Sequence, residues 1–305
     1  MPPELNMPNT LVDFSTELAD AVERAGKSII TVVEGGREGV SGTVWREGVA
    51  ITAEHTIRGL DEVTVLLPSG TKEKARVAGR DHGTDIAILQ VAGVPALPIA
   101  DESQSRVGDV VLAVGRREAE GVSATYGMIS AISGPWRTWQ GARVDRWLRL
   151  DLNPFTGFSG GPIVNARGEA VGMATSGPRR SAATIPASTV NRVVDQLLQR
   201  GRVARGYLGV GMQPVAFPEG TRQSLGLTND RGLLVVAVAP GSPAEQGGML
   251  LGDIIVAADA SPIETMGSLQ PFLDSENVGK AIALDVVRGG QKMKLSITVG
   301  EKQSS

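Results

Sequence analysis

The sequence predicts a mainly β chain folded as two domains, and three observations carry that prediction. Its 305 residues are enough for about two folded cores, and 41% apolar with 21% charged residues is an ordinary globular balance. Thirty-nine glycines against 4% aromatic residues suit many tight turns between short strands. Between Val40 and Ala183, short apolar or alternating runs recur between turn residues, at 42–45, 49–52, 63–67, 75–78, 86–91, 110–114, 127–132, 148–152, 163–164 and 170–174. Strands at this spacing suggest barrels.

Taken in order, residues 13–27 read as a helix, with Leu18, Ala21, Val22 and Ala25 at helical spacing and Asp13 or Ser15 as cap. The first strand follows over 28–33. The segment 132–146, with Trp136 and Trp139, reads as an exposed loop. Residues 187–200 form the clearest helix: Val190, Val193, Val194, Leu197 and Leu198 share one face, Ser188 caps the start and Gly201 ends it. The expected division is an N-terminal segment over 1–27, a first domain over 28–200, a linker over 201–206 and a second domain over 207–300. In the second domain, Asp259-Ala260 stands where Asn-Gly would favour a tight hairpin.

The net charge of −3 argues against a nucleic-acid partner, and Arg116-Arg117 and Arg179-Arg180 read as solvated loops. With no cysteine, disulfides and thiolate metal sites are excluded, and no metal or cofactor is called for. The first ten residues have neither a basic n-region nor an apolar h-region, and no run is long enough to span a bilayer. As written the chain is expected to be cytoplasmic, or periplasmic or envelope-bound if it is a processed form.

Chemistry concentrates in Asn153-Pro-Phe-Thr-Gly-Phe-Ser-Gly-Gly-Pro162, where Ser159 lies among glycines that leave its hydroxyl and the amides of Gly157 and Ser159 unobstructed. A serine nucleophile needs a base and donors for the oxygen that becomes negative, and those two amides can form such an oxyanion hole. An ordinary turn between strands would use the same residues. Of the two histidines, His55 ends the apolar run 48–53, whereas His82 lies in a loop with no apolar anchor, so His55 is the better base. Asp85 heads the buried-looking strand 85–91, where a carboxylate without a partner is costly, so it suits the group that orients the imidazole. His55, Asp85 and Ser159 follow the chymotrypsin-type order rather than that of subtilisins or α/β-hydrolases.

With these motifs together, the chain resembles the HtrA (Deg) family of serine proteases, chymotrypsin-like domains followed by PDZ domains. The resemblance rests on Ser41-Gly-Thr-Val44, Ala50-Ile-Thr-Ala-Glu-His55, Thr84-Asp-Ile-Ala-Ile-Leu89, Val114-Gly115, Tyr126-Gly-Met-Ile-Ser-Ala131 and Gly157-Phe-Ser-Gly-Gly-Pro-Ile-Val-Asn165. Tyr207-Leu-Gly-Val210, the stretch 232–244, Gly252-Asp-Ile-Ile255 and Arg288-Gly-Gly-Gln291 carry it through the second domain. It implies two six-stranded β-barrels with His55, Asp85 and Ser159 in the cleft between them, then a PDZ α+β domain. It also implies a serine endopeptidase acting on unfolded or misfolded polypeptides, with Leu152, Ala183 and Ile185 as candidates for the pocket before the cut. Tyr207, Leu208, Gly209 and Val210 would hold a peptide C-terminus, opposite a helix between Glu264 and Leu273 that offers Leu269 and Phe272 or Leu273. A homotrimer built on the N-terminal segment, through Phe14, is implied as well.

The chain departs from the family pattern at the serine loop, which is two residues longer and has Phe158 where relatives carry a polar residue. Its ring is expected to seek an apolar contact and to govern whether the Gly157 amide reaches the oxyanion hole, making the loop a switch between ordered and collapsed states. A PDZ-bearing chaperone or adaptor with a silent barrel is the competing reading.

Overall fold

The computed structural model describes residues 10–33, 39–117, 121–138, 141–153, 156–176 and 182–301. They fall into two compact units, Met1–Val203 and Ala204–Ser305.

In the first unit, helix α1 (Thr10–Gly26) precedes β1 (Ile29–Val33), β2 (Val40–Arg46), β3 (Val49–Ala53), β4 (Glu62–Leu66), β5 (Lys72–Asp81) and β6 (Ile86–Gln90). These strands close an antiparallel barrel in the order β1-β2-β3-β6-β5-β4. The alternation legible in the sequence has its usual cause: on β4, Val63 and Val65 are buried while Glu62 and Thr64 face away from that core. The second set comprises β7 (Val110–Arg117), β8 (Gly121–Ser133), β9 (Trp136–Arg137), β10 (Arg143–Val144), β11 (Trp147–Asp151), β12 (Pro162–Asn165), β13 (Ala170–Ser176) and β14 (Ala182–Pro186). Six of them form a sheet in the order β11-β8-β7-β12-β13-β14, curled until β11 and β14 lie side by side. The mainly β architecture with two six-stranded barrel-like sheets is the one expected.

Helix α2 (Ala187–Arg200) lies over the seam, its Val190, Val193, Val194 and Leu197 buried with Trp45 of β2 and Met173 of β13. The Trp45 indole donates to Asn191 Oδ1 at 2.8 Å, which satisfies the one polar atom of a side chain only 1% exposed. Gly201 ends the helix in the left-handed region, φ 69°, its amide returning to Leu197 O.

Several local expectations are corrected. Ser188 does not cap α2; its amide instead donates to the Glu102 carboxylate at 2.6 Å, an anion supplied from a distant loop to a helix N-terminus. Helix α1 begins at Thr10, so Asp13 and Ser15 lie inside it. Within 132–146, β9 and β10 pair as a small hairpin with Val144 buried, and Trp139 lies outside the described residues. Arg116 and Arg117 belong to β7 rather than to a solvated loop, and Arg179-Arg180 lies outside the described residues. Strand β14 has no counterpart among the sequence-based strands.

The second unit contains β15 (Gly206–Tyr207), β16 (Val210–Ala216), α3 (Glu219–Leu225), β17 (Arg231–Val238), α4 (Pro243–Gln246), β18 (Ile254–Ala258), β19 (Ser261–Pro262), α5 (Met266–Leu269), β20 (Ala281–Arg288), β21 (Gln291–Thr298) and β22 (Gly300–Glu301). Its main sheet runs β16-β17-β18-β20-β21, which leaves β16 at an edge. The fully buried Asp253 is paired by the Arg288 guanidinium, two bonds of 2.7 Å, and by the Leu250 amide. Burial alone would raise the Asp253 carboxyl, but the Arg288 bonds and the Leu250 amide outweigh it and hold the carboxyl below its ordinary range.

The β18–β19 hairpin forms despite its sequence, with Asp259 at φ 43° and Ala260 at φ 65°. Asp259 is compensated by exchanging bonds with Ala283, whose amide donates to its carboxylate at 2.9 Å and whose carbonyl accepts its amide at 2.8 Å. Ala260 is exposed, and among the described residues it has no such pair of bonds. Replacing Ala260→Gly is therefore expected to stabilise this unit by about 0.5–1 kcal/mol, since an alanine at positive φ carries a steric cost that glycine lacks. Urea titration of the two proteins checks this; an unchanged or lower midpoint contradicts it.

Candidate active site

His55 and Asp85 meet because β3 and β6 pair side by side, with Ala53 opposite Ile86. The chain leaves β3 in a single turn, Glu54–Thr56, which turns His55 back across the barrel end. Asp85 sits one residue before β6 at φ 58°, a conformation costing of order 1–3 kcal/mol for a residue other than glycine. Its hydrogen bonds account for that conformation. The His55 amide donates to Oδ1 at 2.8 Å, the His55 Nδ1 lies 2.7 Å from Oδ2, and the Glu54 amide donates to the Asp85 carbonyl at 3.1 Å.

A further donor arrives from the second barrel: the hydroxyl of Thr175, on β13, bonds Asp85 Oδ2. The adjacent residue, Ser176, places its Oγ 3.4 Å from Ser159 Oγ. His55 and Asp85 are thus in contact on the first barrel, and Ser159, in the loop before β12, lies against the residue that follows Asp85's partner on β13. Among the described residues the hydrogen-bond partner of the Ser159 hydroxyl is Ser176 and not the imidazole.

The loop around Ser159 is built on glycine. Gly157 has φ 96° and Gly160 φ 86°. A Cβ on Gly160 would lie 2.2 Å from Ser41 O, so no other residue fits there. Among the described residues the amides of Gly157 and Ser159 donate to no backbone carbonyl. The Phe158 ring is 2% exposed and packs inside the second barrel with Val111, Ala113, Ile129 and Ile163. It is a buried anchor of the loop, the apolar contact its lack of a polar handle called for.

Electrostatics favour a protonatable imidazole. The hydrogen bond to Asp85 raises the His55 pKa above its ordinary 6.5; burial opposes this, and the Asp85 and Glu54 charges add to the rise while Arg58 subtracts. Glu54 is 3% exposed, and its carboxylate lies 2.9 Å from His82 Nδ1 and 3.5 Å from the Arg58 guanidinium. His82 is therefore tied to a buried carboxylate next to His55, not the unanchored loop residue its neighbours suggested.

Of the pocket candidates, Leu152 packs on the cluster that contains Phe158 and Ala183 lies opposite Thr175 on β14. Ile185 is corrected: it is 4% exposed and packs with Ala187 and Val190 in the core shared with α2, which leaves it no free face for a substrate. Sequence reasoning missed Thr175, whose threonine-in-a-strand setting is unremarkable until β13 is placed against Asp85.

In the second unit, Gly209 at φ 82° brings its backbone so close to Ser242 that a Cβ would lie 2.2 Å from that side chain. The Leu208 and Gly209 carbonyls accept from Ala244 and Ala239, whereas their amides, among the described residues, donate to no backbone carbonyl. The Leu208 side chain is buried, as is that of Leu269, which corrects its assignment as a groove wall. Val210, Met212, Phe272 and Leu273 are among the partly buried apolar residues around that core. Pro271 shortens the facing helix: α5 gives way to a 3₁₀ turn over Gln270–Leu273.

Comparison with known proteins bears on both units. The trypsin-like peptidase domain family matches residues 40–173, and the PDZ domain family matches residues 206–299. A periplasmic DegP-like serine endoprotease of Rhizobium meliloti is 33% identical over 84% of this chain and 52% of its own length. That of Pseudomonas savastanoi pv. phaseolicola is 33% identical over 83% of this chain and 54% of its own. The chain thus spans about half the length of the curated relatives it matches. Among solved structures, the HtrA-type protease AlgW with a decapeptide is similar with a TM-score of 0.75 at 26% identity, covering 94% of this chain and 99% of that one. A serine endoprotease from Yersinia pestis gives 0.75 at 28% identity, covering 94% and 98%.

These relatives overturn the cytoplasmic expectation, since they are named periplasmic. That expectation rested on the first ten residues, and leaders are removed from mature envelope proteins, so such residues do not report a compartment.

The raised His55 pKa sets a direction for pH dependence. An imidazole acting as base must be neutral, so kcat/KM for a peptide substrate is expected to fall on the acid side through an apparent pKa above 6.5. A pH–rate profile tests this, and an acid limb at or below 6 contradicts it.

Proposed function

Since the chain belongs to the HtrA (Deg) family of serine proteases, we propose that it is a serine endopeptidase of unfolded or misfolded polypeptides, with His55, Asp85 and Ser159 as its triad. The observation that carries this is the His55–Asp85 pair at 2.7 Å, braced by Thr175, together with a serine loop in which, among the described residues, the Gly157 and Ser159 amides donate to no backbone carbonyl. Asp85 occupies Nδ1, which fixes the tautomer and leaves Nε2 to take the Ser159 proton. Ser159 Oγ attacks the peptide carbonyl, and the Gly157 and Ser159 amides receive the developing oxyanion. His55 then returns the proton to the leaving amine, and water repeats the cycle to release the acyl group. The bond from Ser159 to the imidazole forms with substrate in place, as catalytic hydrogen bonds of substrate-free sites tighten on binding. Leu152 and Ala183 border the side-chain pocket.

Residues 28–200 form the protease domain in this reading and 207–300 a PDZ domain. The Leu208 and Gly209 amides, which among the described residues donate to no backbone carbonyl, receive a peptide's terminal carboxylate, and the peptide adds as a strand to the edge of β16, with Val210, Met212, Phe272 and Leu273 around its last side chain. The exposed Leu11, Val12 and Phe14 on the first turns of α1 support self-association as a homotrimer. Sedimentation velocity of Phe14→Ser against wild type reads this; an unchanged species sinks it.

Two experiments test the chemistry and the peptide site. A fluorophosphonate probe is expected to label Ser159, and Ser159→Ala to lower casein degradation by several orders of magnitude. Labelling elsewhere, or undiminished proteolysis, overturns the triad, whereas a wild-type protein that neither takes the probe nor degrades casein leaves the silent-barrel reading. A peptide with a free apolar C-terminus is expected to bind the chain at least tenfold more tightly than its amidated form, by fluorescence polarisation; equal affinity removes the carboxylate site.

A further inference from the structure

An oxyanion hole stabilises a transition state only to the extent that its donors are already in place. Gly157 is a poor foundation for such a donor, because a glycine at φ 96° has many other conformations open to it. Something outside the loop has to hold it. Its carbonyl accepts two hydrogen bonds from one residue of β2 in the other barrel, the amide of Ser41 at 3.0 Å and the Ser41 hydroxyl at 2.7 Å.

The surroundings of Ser41 commit that hydroxyl to this bond. Ser41 is 0% exposed, and its Oγ accepts from the Arg116 amide at 3.0 Å, so its single proton goes to Gly157. Its own carbonyl accepts from Thr52 Oγ1 at 2.8 Å, which fixes the strand. Space is tight as well: a Cβ on Gly115 would lie 3.1 Å from Ser41 Oγ, and one on Gly161 would lie 3.3 Å from Ser41 Cβ. Two residues along β2, Thr43 Oγ1 donates to the Gly160 carbonyl at 3.0 Å. The carbonyls on both sides of Ser159 are thus tied to the barrel that carries His55 and Asp85.

We propose that Ser41 is a positioning residue, whose hydroxyl fixes the Gly157 carbonyl, and with it the Gly157–Phe158 peptide that links the two oxyanion amides, so that both are aimed before substrate arrives, with Thr43 as the second anchor. The proposal rests on the serine-protease reading. Ser41 does not touch the substrate; it acts through Gly157.

The test is steady-state kinetics of Ser41→Ala on a fluorogenic peptide cut by wild type, with kcat expressed per serine titrated by a fluorophosphonate so that misfolded protein is not counted. The expected result is a roughly tenfold fall in kcat, below the roughly 10²- to 10³-fold loss of a whole donor because the Ser41 amide remains. KM stays within about twofold, since an oxyanion donor acts on the transition state, and the acid limb of the pH profile does not move because the His55–Asp85 pair is untouched. Ser41→Thr, which keeps the hydroxyl, is expected to recover most of the loss. Unchanged kcat per titrated serine overturns the proposal, as does a fall accompanied by a shifted acid limb. If Ser41→Ala does not fold, Thr43→Val, of nearly equal volume, reads the second anchor by the same criteria. Failure of the probe to label wild-type Ser159 would instead refute the parent reading.

Discussion

The Asp85 carboxylate holds the site together. A carboxylate drawn partly out of water costs several kcal/mol unless hydrogen bonds replace its hydration. Asp85 meets that requirement with the amide and imidazole of His55 from its own barrel and the hydroxyl of Thr175 from the other. The same bonds hold a backbone at positive φ that the residue would not otherwise adopt. Orienting the imidazole, tuning its pKa and linking the barrels at the cleft are three consequences of satisfying one anion.

Around that centre the first barrel supplies restraint and the second supplies the loop that needs it. Glycines at 157 and 160 give the serine loop its shape through conformations and close approaches closed to other residues. Strand β2 reaches across to the carbonyls on either side of Ser159, while the buried Phe158 ring anchors the loop from beneath. Glu54 extends the polar shell outward, holding His82 and Arg58 and adding its charge to the field at His55.

The second unit follows a different economy. Its core is a small sheet with β16 at one edge, and the buried Asp253 is carried by Arg288 and a loop amide rather than by a partner layer. The turn at Gly209 approaches Ser242 closely enough to exclude any side chain.

By itself the sequence determined the elements whose signals are local. The alternation of β4, the apolar face and glycine stop of α2 and the glycines around Ser159 are carried by neighbours a few residues apart, and the order of His55, Asp85 and Ser159 is read directly along the chain. What only the tertiary structure decided comes from pairings between distant segments. Thr175 bonds Asp85 across 90 residues and Ser41 bonds Gly157 across 116, yet each is an unexceptional hydroxyl residue in its own strand. Glu102 displaced Ser188 at the start of α2 because packing delivered a full anion to amides that a neutral hydroxyl would otherwise have served. Ile185 passed from pocket candidate to core for the same kind of reason: it packs with Ala187 and Val190 of α2 in the core, a contact its own strand does not announce.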